Sequence, residues 1–235
     1  MRISITASIV VTCLGLAVFT PSPASANVVY SITVDTSSEV GETGYIDIQF
    51  SPGLTGSQFA TLDLTNFSTD GALDSSAPGD FTTGDVSGTL PGELAFDNGA
   101  FSEYSEGMTF GDVITATLTF DGPAIESPNG SSPSLFSLDF LSSDESTSLF
   151  VDPANPNPLG FNVATISVNP DGSTTAETYP DVGGSSDATL NQVPEPSTFV
   201  LFGAVLAGLG LRTVRNRRCR RQIDGCVDGA VSGCR

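Results

Sequence analysis

The feature that most constrains the fold is a period of two. In the segment Val113-Ile114-Thr115-Ala116-Thr117-Leu118-Thr119-Phe120, apolar and polar side chains alternate from Ile114 to Phe120. Side chains on a strand point to opposite faces in turn, so Ile114, Ala116, Leu118 and Phe120 are expected on a core and the threonines in solvent. Weaker runs of the same kind occur at Val28 to Val34, Gly44 to Phe50, Phe59 to Phe67, Glu93 to Phe96, Leu135 to Leu141, Ser148 to Val151 and Phe161 to Val168. Between them fall Asp70-Gly71, Asn98-Gly99, Asp121-Gly122, Asn129-Gly130 and Asp171-Gly172, which are pairs suited to the positive backbone angles of tight hairpins. Away from the two ends of the chain no run shows amphipathic helical spacing, apart from a short turn near Gly56 to Leu62. The pattern predicts an all-β domain, an antiparallel β-sandwich of jelly-roll or immunoglobulin-like type. Its expected core comprises Ile32, Val34, Ile46, Ile48, Phe50, Leu62, Leu64, Phe67, Phe96, Ile114, Leu118, Phe120, Phe136, Leu138, Phe140, Phe161, Val163 and Ile166.

Charge divides the chain more sharply than hydrophobicity does. The formal net charge is -19, from 27 acidic and 8 basic residues, and the stretch from Asn27 to Val193 contains no Lys, Arg or His at all. Every acidic residue except Glu195, Asp224 and Asp228 lies in that stretch, which is therefore a polyanion without internal counter-charges. Nucleic acid is excluded as a partner on this ground, because neutralising phosphates requires Lys and Arg. Trypsin has no cleavage site there. The four cysteines, Cys13, Cys219, Cys226 and Cys234, lie outside it, so the domain has no disulfide option.

The two ends read as targeting segments. Residues 1–26 have a short positive start at Arg2, an apolar run from Ile3 to Phe19, a break at Pro21 and Pro23, and an Ala24-Ser25-Ala26 ending. This is the pattern of a secretory signal peptide cleaved after Ala26. Near the other end come Val193, Pro194, Glu195 and Pro196, then an uncharged run from Phe199 through Leu201 and Leu206 to Leu211, then Arg212, Arg215, Arg217, Arg218, Arg220 and Arg221. The apolar run is short of the roughly 20 residues of a comfortable bilayer span, and spans if the arginines snorkel to the interface. One C-terminal transmembrane helix is expected, with the arginine cluster cytoplasmic and the acidic domain across the membrane.

From Val193 to Arg218 the chain resembles the PEP-CTERM sorting signal, in which a Pro-Glu-Pro motif, a hydrophobic helix and a basic terminus are read by an integral-membrane exosortase. The resemblance implies that Pro194, Glu195 and Pro196 are a processing site, and that the protein is exported, held at the membrane, then displayed at the cell surface or released. It also implies a structural or adhesive role in an extracellular matrix, in an exopolysaccharide or biofilm context. The domain plan is thus a signal peptide (1–26), an acidic sandwich (27–180), a flexible linker (181–192), the sorting signal (193–218) and an atypical cytoplasmic tail (219–235).

The domain holds little catalytic equipment. Without His, Lys, Arg or Cys there is no triad base, thiol nucleophile or soft metal site, so an enzyme is not expected. No catalytic residue is assigned. A carboxylate pair of glycosidase type stays as the less favoured option, and a pair such as Glu103 and Glu106 reads as two solvated turn residues. Calcium is the one cofactor the composition invites, since it takes six to eight hard oxygen ligands, and Asp139, Asp144, Glu145 and Asp152 are weak candidates for it. The alternative function is accordingly a polysaccharide- or calcium-binding module. A dehydrated carboxylate pair or a concave aromatic strip would favour that alternative or a secreted carbohydrate-active enzyme, and a uniformly polar surface the matrix role.

Overall fold

The computed structural model describes residues 27–152, 162–181 and 184–194. The expectations for the signal peptide, Phe161, Glu195, Pro196, the apolar run and everything C-terminal to it fall outside the described residues. Two antiparallel sheets pack face to face as a sandwich, as the alternation predicts. One sheet contains β1 (Val28–Asp35), β3 (Thr61–Thr69), β6 (Val86–Gly88), β7 (Leu94–Asp97), β9 (Val113–Asp121) and β13 (Ala188–Val193), in the order β13-β1-β9-β3-β7-β6. The other contains β2 (Thr43–Ser51), β4 (Ala72–Asp74), β5 (Phe81–Thr83), β8 (Ser102–Thr109), β10 (Ser134–Ser142), β11 (Ala164–Val168) and β12 (Thr174–Thr178), in the order β12-β11-β10-β2-β8-β4, with β5 also paired to β8. These are called sheet A and sheet B. A single helical turn, α1 (Pro123–Glu126), links β9 to β10.

Sheet A behaves as the sequence pattern requires. β9 pairs in full register with β1 (Val28↔Phe120 to Asp35↔Val113), and Ile114, Ala116, Leu118 and Phe120 are buried while the intervening threonines are half-buried. Two aromatic clusters close the core, one near each end of the sandwich. Phe120 meets Tyr30, Phe50 and Phe136 edge-on at centroid distances of 6.3, 6.1 and 6.2 Å, and Phe110, Phe140 and Phe150 meet edge-on at 5.5 to 6.0 Å. Such contacts add to the burial of the rings themselves. Buried Asn98 ties the sheets together: it accepts from the Ala60 amide (2.7 Å) and donates to the Gln58 carbonyl (2.8 Å) and Ser134 Oγ (2.5 Å).

Several expectations are corrected. Ser148 to Val151 is not a strand; it makes one bridge, Leu141↔Ser148, and Phe150 adopts φ 61°, which breaks the extended backbone and carries its ring into the second aromatic cluster. Of the five Asx-Gly pairs only Asp171-Gly172 closes a hairpin within a sheet, between β11 and β12, with Gly172 at φ 81°. Most connections cross between sheets instead. Residues 188–192, read in sequence as the end of a flexible linker, and Val193, read as the start of the sorting signal, form β13, which pairs with β1 from Val34↔Ala188 to Val29↔Val193. The polar composition concealed this strand because only one side of it lies against the sheet. Glu103 and Glu106 lie on β8 and not on a turn.

Candidate functional site

Along β2, β8 and β10 sheet B buries both of its faces. On β2, Ile46, Ile48 and Phe50 face the core, and Tyr45 and Asp47, which point the other way, are buried as well. The register places Asp139 of β10 opposite Asp47, and Ser137 and Glu103 on either side of Gln49. These residues share the outer face of the sheet, since directly paired residues point to the same side. Two loops lap over that face. The loop before β5 donates the Gly79 amide to Tyr45 Oη (3.1 Å), and Asp80 Oδ1 accepts from the Gly107 amide (2.7 Å). Gly107 has to be glycine for this approach, because a Cβ there would fall 2.3 Å from Ala77 Cβ. The loop after β10 sends Ser148 Oγ onto Asp139 Oδ2 (2.8 Å).

The result is a partly dehydrated acidic cluster. Gln49 Nε2 donates to Asp47 Oδ2 (2.7 Å) and to Glu103 Oε1 (3.0 Å), bridging the two carboxyl groups. Asp47 is 6% exposed, and its Oδ1 is buried without a hydrogen-bond partner among the described residues. Burial, and then the Glu103 charge, push Asp47 up to about 7, while Gln49 pulls it the other way. Burial pushes Asp139 up to about 6, against the hydrogen bonds from Ser148 and the Phe140 amide. Glu103 is raised too, by burial. With no basic side chain in the domain to stabilise these carboxylates, a proton does so: Asp47 holds one well above the usual carboxylate range.

A second buried acid faces the core. Glu106 is 3% exposed and accepts from the Tyr104 hydroxyl, which in turn accepts from the Leu90 amide (3.1 Å). Burial raises Glu106, and burial with the Glu106 bond raises Tyr104. Three residues apart on one strand, Glu103 and Glu106 point to opposite faces and do not form a catalytic pair.

Of the calcium candidates, Asp139 joins the Asp47 cluster. Asp144 is exposed and closes its own turn, accepting from Ser142 Oγ (2.6 Å), Ser146 Oγ (2.7 Å) and the Ser146 amide (3.1 Å), which together lower it to about 2. Glu145 follows at φ 56°, and the Asp152 amide donates to the Pro180 carbonyl (3.2 Å). Among the described residues no group of three or more acidic side chains is arranged to hold a metal ion. Sequence reasoning missed Asp47 and Gln49, and it paired Glu103 with Glu106 where the structure sets Glu103 beside Asp47. The usable signal was the polar run Tyr45, Asp47, Gln49 at every second position of β2, but it indicates a face and not what lies across from it.

The sorting residues begin where the sandwich ends. Val193 is the last residue of β13, and Val193 and Pro194 are exposed. Among the described residues no helix is long and apolar enough to cross a membrane, and the run from Phe199 to Leu211 lies outside them.

The fold and this junction define a two-sheet β-sandwich followed directly by a C-terminal address. The address is named by comparison with protein families: residues 192–218 match the PEP-CTERM protein-sorting motif. The chain carries that motif, which marks it as an exosortase substrate exported and sorted to the cell surface. No curated protein and no solved structure matches the chain.

Proposed function

We propose that this protein is a structural or adhesive component of an extracellular matrix or envelope layer, in an exopolysaccharide or biofilm context, and not an enzyme. It is held in the membrane by its C-terminal apolar segment until an exosortase acts near Pro194 to Pro196. The observation that carries the reading is the junction: the last strand ends at Val193, and the sorting motif matched at 192–218 overlaps it without an intervening linker. A domain that lacks His, Lys, Arg and Cys supports the non-enzymatic part. Intact mass spectrometry of protein from the cell envelope and from the medium tests it. A species beginning at Asn27 and ending near Pro194 to Pro196 is expected. A mature species that retains Arg212 to Arg235 would make the segment a plain anchor and remove the main support for the matrix role. Alanine at Pro194, Glu195 and Pro196 together is expected to block processing.

Dehydrated Asp47, with Oδ1 unpartnered among the described residues, supports a second reading, a module that binds polysaccharide or calcium, because dehydrated carboxyl groups are a feature of ligand sites. Asp47, Glu103 and Asp139 are not arranged to hold a metal ion as they stand, so a cation would have to draw them together. Thermal denaturation with and without calcium at pH 8 separates the readings. A calcium-dependent rise in Tm that Asp47→Asn abolishes supports the second; an unchanged Tm supports the first.

A further inference from the structure

The strand directions place both ends of the domain at one end of the sandwich. β1 begins at Val28 and β13 ends at Val193, with Val29 opposite Val193. β2 finishes and β3 starts there, so the connection through Leu54 and Phe59 lies at that end, as does the connection from β7 to β8 that contains Phe101. Three of the largest exposed apolar side chains of the described residues are found here: Leu54 is 72%, Phe59 47% and Phe101 45% exposed. Leu54 and Phe59 line one shallow cleft with Asn98 and Gly99. The opposite end exposes Val40 and Val113, which are smaller.

An exposed aromatic and leucine cluster on a strongly acidic domain has a cost in solubility and calls for a partner. Chain length says which. The uncharged run begins at Phe199, six residues after Val193, and six residues span at most about 20 Å. Strands of eight or nine residues make the sandwich roughly 30 Å long. The tether is therefore shorter than the domain, and while it is intact the end bearing Leu54, Phe59 and Phe101 is the one that reaches the surface the apolar run enters.

Resting on the anchoring reading above, we propose that this end of the sandwich is a lipid-contacting face, with Leu54, Phe59 and Phe101 entering the headgroup region while the chain is tethered. Phenylalanine and leucine are suited to that depth. Asp97 and Asp121 at the same end have no basic neighbours, so the face repels anionic lipid, and the contact depends on the high effective concentration that a short tether provides. Cutting near Pro194 removes the tether, and the domain then leaves the surface.

The chain has no tryptophan, so one introduced indole reports its own position. The full chain carrying Phe59→Trp, Phe101→Trp or Val40→Trp is reconstituted into phosphatidylcholine vesicles with brominated acyl chains, and flotation establishes attachment. Loss of emission is expected for Phe59→Trp and Phe101→Trp, with Val40→Trp unaffected. A chain that floats but shows no quenching at positions 59 and 101, or equal quenching at position 40, overturns the lipid-contacting face and leaves the anchor standing. A chain that does not float overturns the anchor, and this inference with it.

Discussion

The two sheets have opposite economies of burial. Sheet A keeps one face dry and one face wet: along β9 every second residue is buried, and its partners in β1 and β3 follow the same alternation. Sheet B, along β2, β8 and β10, is buried almost continuously, because the loops before β5 and after β10 cover its outer face. The same polar side chains therefore have different consequences in the two places. A threonine of β9 keeps its contact with water. An aspartate of β2 loses it, and holds a proton to compensate.

The largest expected effect probes what the sheets share. Phe120 is fully buried where rings from both sheets meet, beside Tyr30, Phe50 and Phe136. Phe120→Ala is expected to cost about 3–5 kcal/mol in denaturant unfolding, from lost transfer energy and the cavity left behind. A cost near 1 kcal/mol would mean that the two sheets are not packed through this cluster.

The next effect separates the sheets by pH. Asp47, at about 7 in the folded chain, and Asp139, at about 6, both lie above the ordinary carboxylate range of the unfolded chain. Between about pH 4 and 7 the folded state therefore binds more protons than the unfolded one, so stability falls as pH rises. Their contribution is complete below about pH 4 and is lost as the pH passes through about 6 and then about 7. Asp47→Asn is expected to raise stability at pH 8 by roughly 2–4 kcal/mol and to flatten this slope. Urea unfolding from pH 4 to pH 8 measures both; an unchanged slope in the variant would place the proton elsewhere. The matching change on the outer face of sheet A, Asp63→Asn, is expected to alter the slope less, because Asp63 is only half-buried, although burial and then the Glu93 and Asp121 charges raise it too.

Smaller again is the joint between the sheets. Asn98→Ala leaves the Ala60 amide and the Gln58 carbonyl without their partner, and is expected to cost about 1–3 kcal/mol. Thermal unfolding that matches wild type would show that water replaces the amide there.

The same contrast explains what the sequence disclosed. Sheet A was legible where one face is dry, since alternation is a record of one-sided burial, and Val113 to Phe120 was read to within a residue. β8 was not, because Ser-Glu-Tyr-Ser-Glu-Gly-Met-Thr has polar residues on both faces: Glu103 and Ser105 lie under the loops, and Glu106 is satisfied inside by Tyr104. β13 escaped because an edge strand of Ala-Thr-Leu-Asn-Gln-Val has the composition of a linker, and its place is fixed by pairing with β1 more than 150 residues away. The sorting address was readable because recognition by another protein depends on the linear order of motif, apolar run and arginines. The acidic cluster was not, because it exists only once β2, β8 and β10 are in register.

The smallest effect is the sharpest control on the comparison. Thr117 is half-buried on the outer face of sheet A, opposite Ser31 of β1 and Thr65 of β3. Its hydroxyl accepts one long bond from Asn66 Nδ2 (3.3 Å) at the bulge of β3. Thr117→Val keeps the β-branched shape that a pleated surface favours and gives up only that exposed bond. Stability is expected to change by less than about 0.5 kcal/mol, with no dependence on pH. Ser137, on the covered face of sheet B beside Gln49, is the counterpart. Ser137→Asp is expected to lower stability at pH 8 and to recover much of the loss near pH 4, because a further carboxyl group there is dehydrated beside Asp47, Glu103 and Asp139. If the Thr117 and Ser137 variants showed the same pH profile, the outer faces of the two sheets would be equally wet, and the lapping loops would not be what sets the protonation of Asp47.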